Sequence, residues 1–120
     1  MQRYLKVLYI EPNKLPTPIT IKNNLKEKQI LVGGKIQYHY LPNITDIVLV
    51  CNENGKNLNL PINRDIDYDT INGNFFIVGD DYIHGEDRSL TNEQIQKYSK
   101  MFSKYFIEYE NSKSDNFELN

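Results

Sequence analysis

The sequence predicts an α+β fold: a mainly antiparallel sheet of about five strands, covered by one short helix and one long C-terminal helix with an aromatic face. Three observations carry this expectation. Short segments that alternate apolar and polar residues, or run apolar throughout, recur between turn signals. Asn54-Gly55 lies between two of them and is the strongest local signature of a two-residue hairpin. Residues 89–106, "SLTNEQIQKYSKMFSKYF", then repeat apolar positions at helical spacing.

Taken in order, "RYLKVLYIE" reads as a strand over residues 3–11, stopped by Pro12, and "NKLPTP" as a loop. Residues 20–32 place Leu25, Gln29 and Val32 on one stripe of a short helix, with Gly33-Gly34 as its left-handed stop. "KIQYHYL" alternates, with Ile36, Tyr38 and Tyr40 on one face, so it is a strand. "TDIVLVCN" is continuously apolar at its centre, as a strand covered on both faces must be. Beyond the Asn-Gly turn, flanked by Glu53 and Lys56, "KNLNLP" reads as the returning strand, ended by Pro61, which has no N–H to donate. Residues 64–73 read as an acidic, turn-rich connection and "NFFIVGDD" as the last strand. In the long helix Thr91 and Gln94 form a capping box, and Ile95, Tyr98, Phe102, Tyr105 and Phe106 make the apolar stripe. The order is β-α-β-β-β-β-α, one domain over residues 1–109 followed by a polar tail, 110–120.

Composition sets bounds on function. Apolar residues make up 39% and charged residues 25%, so a core is affordable and disorder is not expected. The longest apolar run, 47–51, is far too short to span a bilayer, and the start lacks a cleavable leader. The single Cys51 cannot form an internal disulfide, which suits a reducing cytoplasm. Residues 1–40 carry seven bases and two acids, whereas residues 41–90 carry three bases and nine acids. That acidic middle argues against nucleic acid as a partner, because phosphate contacts require clustered Lys and Arg.

No catalytic set stands out, and no enzyme activity, metal or cofactor is expected. Cys51 lies in an apolar run, where a buried, inert thiol is the natural reading; His39 and His84 are the histidines that could partner it. Asp65, Asp67 and Asp69 have the spacing that starts a calcium loop, but Thr70 and Phe76 stand where its glycine and bidentate glutamate belong. Asp80, Asp81, His84, Glu86 and Asp87 match no recognised metal spacing. "LPINR" is different. Asn63 and Arg64 follow a strand-ending proline, where side chains are delivered to a rim, and Asn52 and Arg88 could converge there. These four are the candidate ligand-binding residues, with the guanidinium fork suited to an anion. The plainer reading is that Asn63 satisfies loop backbone while Arg64 neutralises Asp65 or Asp67.

The ordered set "KVLYIEPNKLP", "LVGGKIQ", "IVLVCNENGKNLNLPINRDI", "INGNFFIVG" and "SLTNEQIQKY", spanning residues 5–98, resembles the family catalogued as domain of unknown function 3846. Its N-E-x-G-K and L-P-x-N-R steps correspond here to Asn52, Glu53, Gly55, Lys56, Leu60, Pro61, Asn63 and Arg64. The resemblance implies a small protein of bacteriophages, prophages and other mobile elements, acting in the host bacterial cytoplasm and without an established enzyme activity. Two functions are then expected. The first is capture of a small anionic ligand, such as a nucleotide-derived immune signal of the host, at a rim or homo-oligomer interface. The alternative is a protein–protein interaction module that inhibits or recruits a host macromolecule through its acidic middle and tail.

Overall fold

A computed structural model describes residues 2–66 and 69–104 of the chain. Alternation in β1 (Tyr4–Ile10) sends Leu5 and Val7 to one face and Leu8 and Ile10 to the other, all buried. Then follow β2 (Thr17–Lys22), α1 (Leu25–Val32), β3 (Ile36–His39), β4 (Ile47–Asn52), β5 (Ile62–Ile66), β6 (Asp69–Asn72), β7 (Phe75–Asp81), β8 (Glu86–Arg88) and α2 (Asn92–Met101). The main sheet has the order β2-β1-β7-β4-β3, antiparallel throughout. β8 pairs with the second half of β7, where Gly79 faces Arg88, and so extends the lane that β1 occupies beside the first half. β5 and β6 form a separate two-stranded hairpin.

The sheet is covered on both sides, which is why β4 is buried along its whole length and β7 over its apolar residues. α1 packs over the face that carries Val48, Val50, Phe76 and Val78. The β5–β6 hairpin and α2 cover the other, with Ile66, Ile71, Tyr98 and Phe102 set against Leu8, Leu49, Phe75 and Ile77. Phe102 meets Phe75 edge-on, ring centroids 5.9 Å apart, a favoured arrangement for aromatic quadrupoles. The capping box at Thr91 and Gln94 is present in full, and Gly33 closes α1 at φ 79°. α2 ends at Met101, short of the long helix expected through residue 106; Tyr98 and the C-cap Phe102 face inward, and Tyr105, Phe106 and the tail 110–120 lie outside the described residues.

Four expectations are corrected. Residues 17–22 are a strand, not loop and first helical turn: Ile19, Thr20 and Ile21 are β-branched, and β1 offers them a free edge. α1 begins only after Asn24, whose side chain accepts the Glu27 N–H at 2.8 Å. Its buried positions are Lys28 and Val32, while Leu25 is exposed.

The Asn54-Gly55 hairpin does not form. β4 already pairs with β3 on one edge and β7 on the other, so no edge remains for a returning strand. Residues 53–59 coil into turns instead, with the Leu58 N–H on the Asn54 carbonyl at 2.9 Å and Asn59 left-handed at φ 52°. Gly55 is needed for closeness and not for left-handed backbone: a Cβ there would lie 2.4 Å from the Asn72 carbonyl oxygen. The fourth correction follows. The supposed acidic connection over residues 64–73 contains the β5–β6 hairpin, whose alternate apolar residues Ile66 and Ile71 are buried.

Candidate functional site

Asn63 and Arg64 follow Pro61 on β5, where alternation should send them to opposite faces. The pairing with β6 slips between Ile62 and Arg64, and this bulge turns both side chains inward. Asn63 is fully buried: its amide donates to the Ile10 carbonyl at 2.9 Å and the Gly73 carbonyl at 2.8 Å, and its own oxygen accepts Arg64 Nη1 at 2.8 Å. Arg64, 3% exposed, donates Nε to the Phe102 carbonyl at 2.9 Å, Nη1 to the Asn63 carbonyl at 3.1 Å and Nη2 to the Lys14 carbonyl. Phe102 is the C-cap of α2, so the guanidinium neutralises the negative end of that helix while it holds the β1–β2 loop. This is a knot that ties three segments together. It satisfies loop backbone, as the plainer reading had it for Asn63, and directs Arg64 at carbonyls.

The four candidate residues do not share a rim. Asn52, at the far end of β4, donates to the Val32 carbonyl at 3.1 Å and accepts the Asn54 N–H at 2.7 Å, which joins α1 to the loop. Arg88 stands on β8 opposite Gly79, which faces Ile47 at the other end of β4. Only Asn63 and Arg64 meet.

What opens beside Asn52 is a cleft of about 410 Å³ between the β3–β4 side of the sheet and the hairpin. Gln37 and His39 from β3 form one wall. Asp69, Thr70 and Asn72 from β6 form the other, and Glu53, Lys56 and Asn57 from the coiled loop line the cleft between them. Buried Cys51, Ile66 and Ile71 contribute its apolar part. The hairpin wall is oriented by its own bonds: Thr70 Oγ1 donates to Asn72 Oδ1 at 2.9 Å, and Asn72 Nδ2 donates to the Leu60 carbonyl at 3.1 Å. The close approach at Gly55 brings the loop down onto Asn72.

Electrostatics in the cleft are mixed. Lys56 ion-pairs with Asp69 across the mouth and, with the Thr70 N–H and a smaller effect of His39, holds that carboxyl below its usual range. Burial pushes the Cys51 thiol up, away from the reactive thiolate, so the expected buried thiol is found. Among the described residues no three of His, Cys, Asp and Glu gather as metal ligands, and Asp81 is instead bonded to His84 at 2.8 Å. No described helix is long and apolar enough to cross a membrane.

Lys56, Asn57, His39 and the β6 residues were not candidates from sequence. Lys56 carries a signal, as the last residue of the N-E-x-G-K step, but its counterpart Asp69 shows in the sequence only as part of an incomplete calcium spacing in an acidic connection, because the hairpin that presents it depends on tertiary packing. Neither the curated proteins nor the solved structures include a match to this chain. A family model does match, over residues 5–103, five residues past the last quoted motif and through both the knot and the cleft. The chain belongs to the family described as domain of unknown function (DUF3846).

Proposed function

We propose that this protein is a non-catalytic binding module that captures a small polar ligand in the cleft between β4 and the β5–β6 hairpin. The observation that carries the reading is the cleft itself, about 410 Å³ with amides, a hydroxyl and both signs of charge around an apolar patch. Such a volume, with a few convergent polar groups, is that of a small-molecule site. Amide side chains such as Gln37 and Asn57 offer paired donors and acceptors, the complement of a nucleobase edge. Lys56 and His39 are offset by Glu53 and Asp69, so the wall suits the uncharged, hydrogen-bonding part of a nucleotide-derived ligand better than its phosphates.

Capture is favoured over turnover because the reactive groups are occupied. The Cys51 thiol is kept protonated by burial and Asp69 is held ionised by Lys56. A phage or mobile-element origin, implied by the family, would make a nucleotide immune signal in the host cytoplasm the fitting ligand. The alternative, an acidic docking surface, is weakened by the use of its acids inside the chain: Asp46 bonds Tyr98, Asp69 pairs with Lys56, Asp81 with His84 and Asp87 with Lys28.

Calorimetric titration with nucleosides, cyclic dinucleotides and ADP-ribose tests the proposal. Saturable binding weakened by Asn57→Ala and Gln37→Ala is expected. Silence from every ligand at millimolar concentration ends it, and a stoichiometric host protein released by salt would favour the docking surface instead.

A further inference from the structure

On the opposite face of the sheet, the side that carries α1, three tyrosines and two carboxylates converge. Tyr38 and Tyr40 come from β3 and the residue just beyond it, Asp80 and Tyr82 from the end of β7, and Asp87 from β8. Together they line a cavity of about 480 Å³. Tyr38 and Asp80 share this face with Val50 and Val78 because each lies two residues along, or directly opposite, in the strand register. A second concavity of about 420 Å³ adjoins it, sharing Tyr40, Asp80 and Tyr82 and adding Leu41 and Ile44. Joined at these three residues, the two concavities make a groove with an acidic, aromatic end and an apolar end at the edge of the sheet, where Leu41 and Ile44 also pack against the core on the hairpin side.

The acidic end is built, not incidental. Lys28 of α1 donates to Asp87 Oδ2 at 2.7 Å, and the Tyr38 hydroxyl donates to the same oxygen at 2.8 Å, which fixes the Tyr38 ring against the cavity. Both members of the Lys28–Asp87 pair are nearly buried. Asp80, which faces Asp87 across the β7–β8 pair, is left with less compensation. Burial, then Asp87 and Asp81, push its carboxyl above the usual range, although Arg88 nearby works the other way. Tyr40 and Tyr82 meanwhile stand 60% and 73% exposed, large aromatic surfaces beside a carboxylate.

We propose that this groove binds an organic cation, a primary ammonium or guanidinium on an aliphatic stem, with the charged head between Asp80 and the tyrosine rings and the stem along Leu41 and Ile44. Tyrosine faces carry negative potential, so they attract a cation that a carboxylate alone would hold only loosely. A partly enclosed cavity concentrates that field. The aliphatic stem explains the apolar continuation, which an inorganic cation would not use. This site is separate from the cleft beside the hairpin and goes beyond its proposed role.

Titration of the full chain with cadaverine and agmatine at low ionic strength, followed by calorimetry, tests the proposal, with n-pentanol as the neutral counterpart. Saturable binding of both cations is expected, with none for the alcohol, and a loss of about tenfold or more in affinity in Asp80→Asn and in Tyr82→Ala. Both variants should keep the wild-type unfolding midpoint, so a folding defect is separable from lost binding. A lysine-containing peptide run beside cadaverine identifies the source: tighter peptide binding that Asp80→Asn abolishes assigns the site to a side chain of a polypeptide, and equal binding assigns it to free amines. No saturation by either cation, or affinities unchanged in both variants, overturns the proposal.

Discussion

Two halves of one polar stretch, residues 52–57 and 63–64, meet opposite fates. The first half lines an open cleft, with Lys56 and Asn57 exposed at its mouth. The second is folded inside, where Asn63 and Arg64 hydrogen-bond to carbonyls of Ile10, Gly73, Phe102 and Lys14. Residue type does not separate them, since both contain amides and a base. What separates Lys56 and Asn57 from the pair on β5 is whether the donors face main-chain carbonyls, as Asn52 also does at Val32. Among the described residues every buried side-chain nitrogen and oxygen has a partner, and in the knot that requirement consumes the very groups that would otherwise recognise a ligand.

The comparison breaks if the knot can be cut cheaply. Arg64→Ala removes the donors that tie β5 to the end of α2 and the β1–β2 loop and should cost about 3–5 kcal/mol, read from urea unfolding. Arg64→Lys should recover little, because a point charge cannot reach the separate carbonyls that the planar fork reaches. A loss below about 1 kcal/mol for Arg64→Ala would return this residue to the list of ligand-binding candidates.

Gly55→Ala probes the join between the two halves. Its Cβ would press on the Asn72 carbonyl, so a loss of about 2–3 kcal/mol is expected, along with altered binding in the cleft. Wild-type stability in this variant would mean that the loop does not need its close seat on the hairpin.

Smaller effects sharpen the picture on α2. The Tyr98 hydroxyl donates to Asp46 Oδ1 at 2.7 Å and Gln94 Nε2 to Asp46 Oδ2 at 2.9 Å. Tyr98→Phe should therefore cost about 1–2 kcal/mol. Burial alone would raise the Asp46 carboxyl, but the bonds from Gln94 and Tyr98 hold it below its usual range. A depressed folded value means stability that is present above the unfolded value, near pH 4, and lost as pH falls through the folded one. Because Asp46 is only partly buried, solvent screens it and the acid limb it contributes is modest. Asp46→Asn should flatten it in a series of unfolding midpoints between pH 5 and pH 2, roughly the range over which such a carboxylate titrates. Smallest of all, Asn57→Ala at the cleft mouth should leave stability within about 0.5 kcal/mol of wild type while weakening nucleotide binding. If it destabilises like Arg64→Ala, the contrast between rim and knot disappears.

Much of the scaffold was legible because local patterns and global packing agree there. β1, β4 and β7 announced themselves through alternation or continuous apolarity, and the caps at Thr91 and Gly33 act within a single turn of chain. The misreadings share a cause. Asn54-Gly55 carries a sound hairpin signal, but its use depends on whether β4 has an open edge, which is settled by β3 and β7 from either side in sequence. The β5–β6 hairpin was hidden by its acids: Asp65 and Asp69 are exposed, Asp69 at the cleft beside Ile66, while Ile66 and Ile71 hold the strands to the core. Lys28 was similarly illegible, since a buried lysine makes sense only beside Asp87, 59 residues away.

By itself the sequence determined the class of fold, the two helices, the most buried strands and the burial of Cys51, because each depends on periodicity or composition within a short window. Tertiary structure alone decided which polar residues distant in sequence face one another. The bulge before Arg64 turned a proposed ligand arm into a helix cap, and the meeting of loop and hairpin made a cleft from residues that individually looked like surface. The physical reason is that a buried donor takes whichever acceptor the folded chain leaves unsatisfied, and that acceptor is fixed by segments distant in sequence.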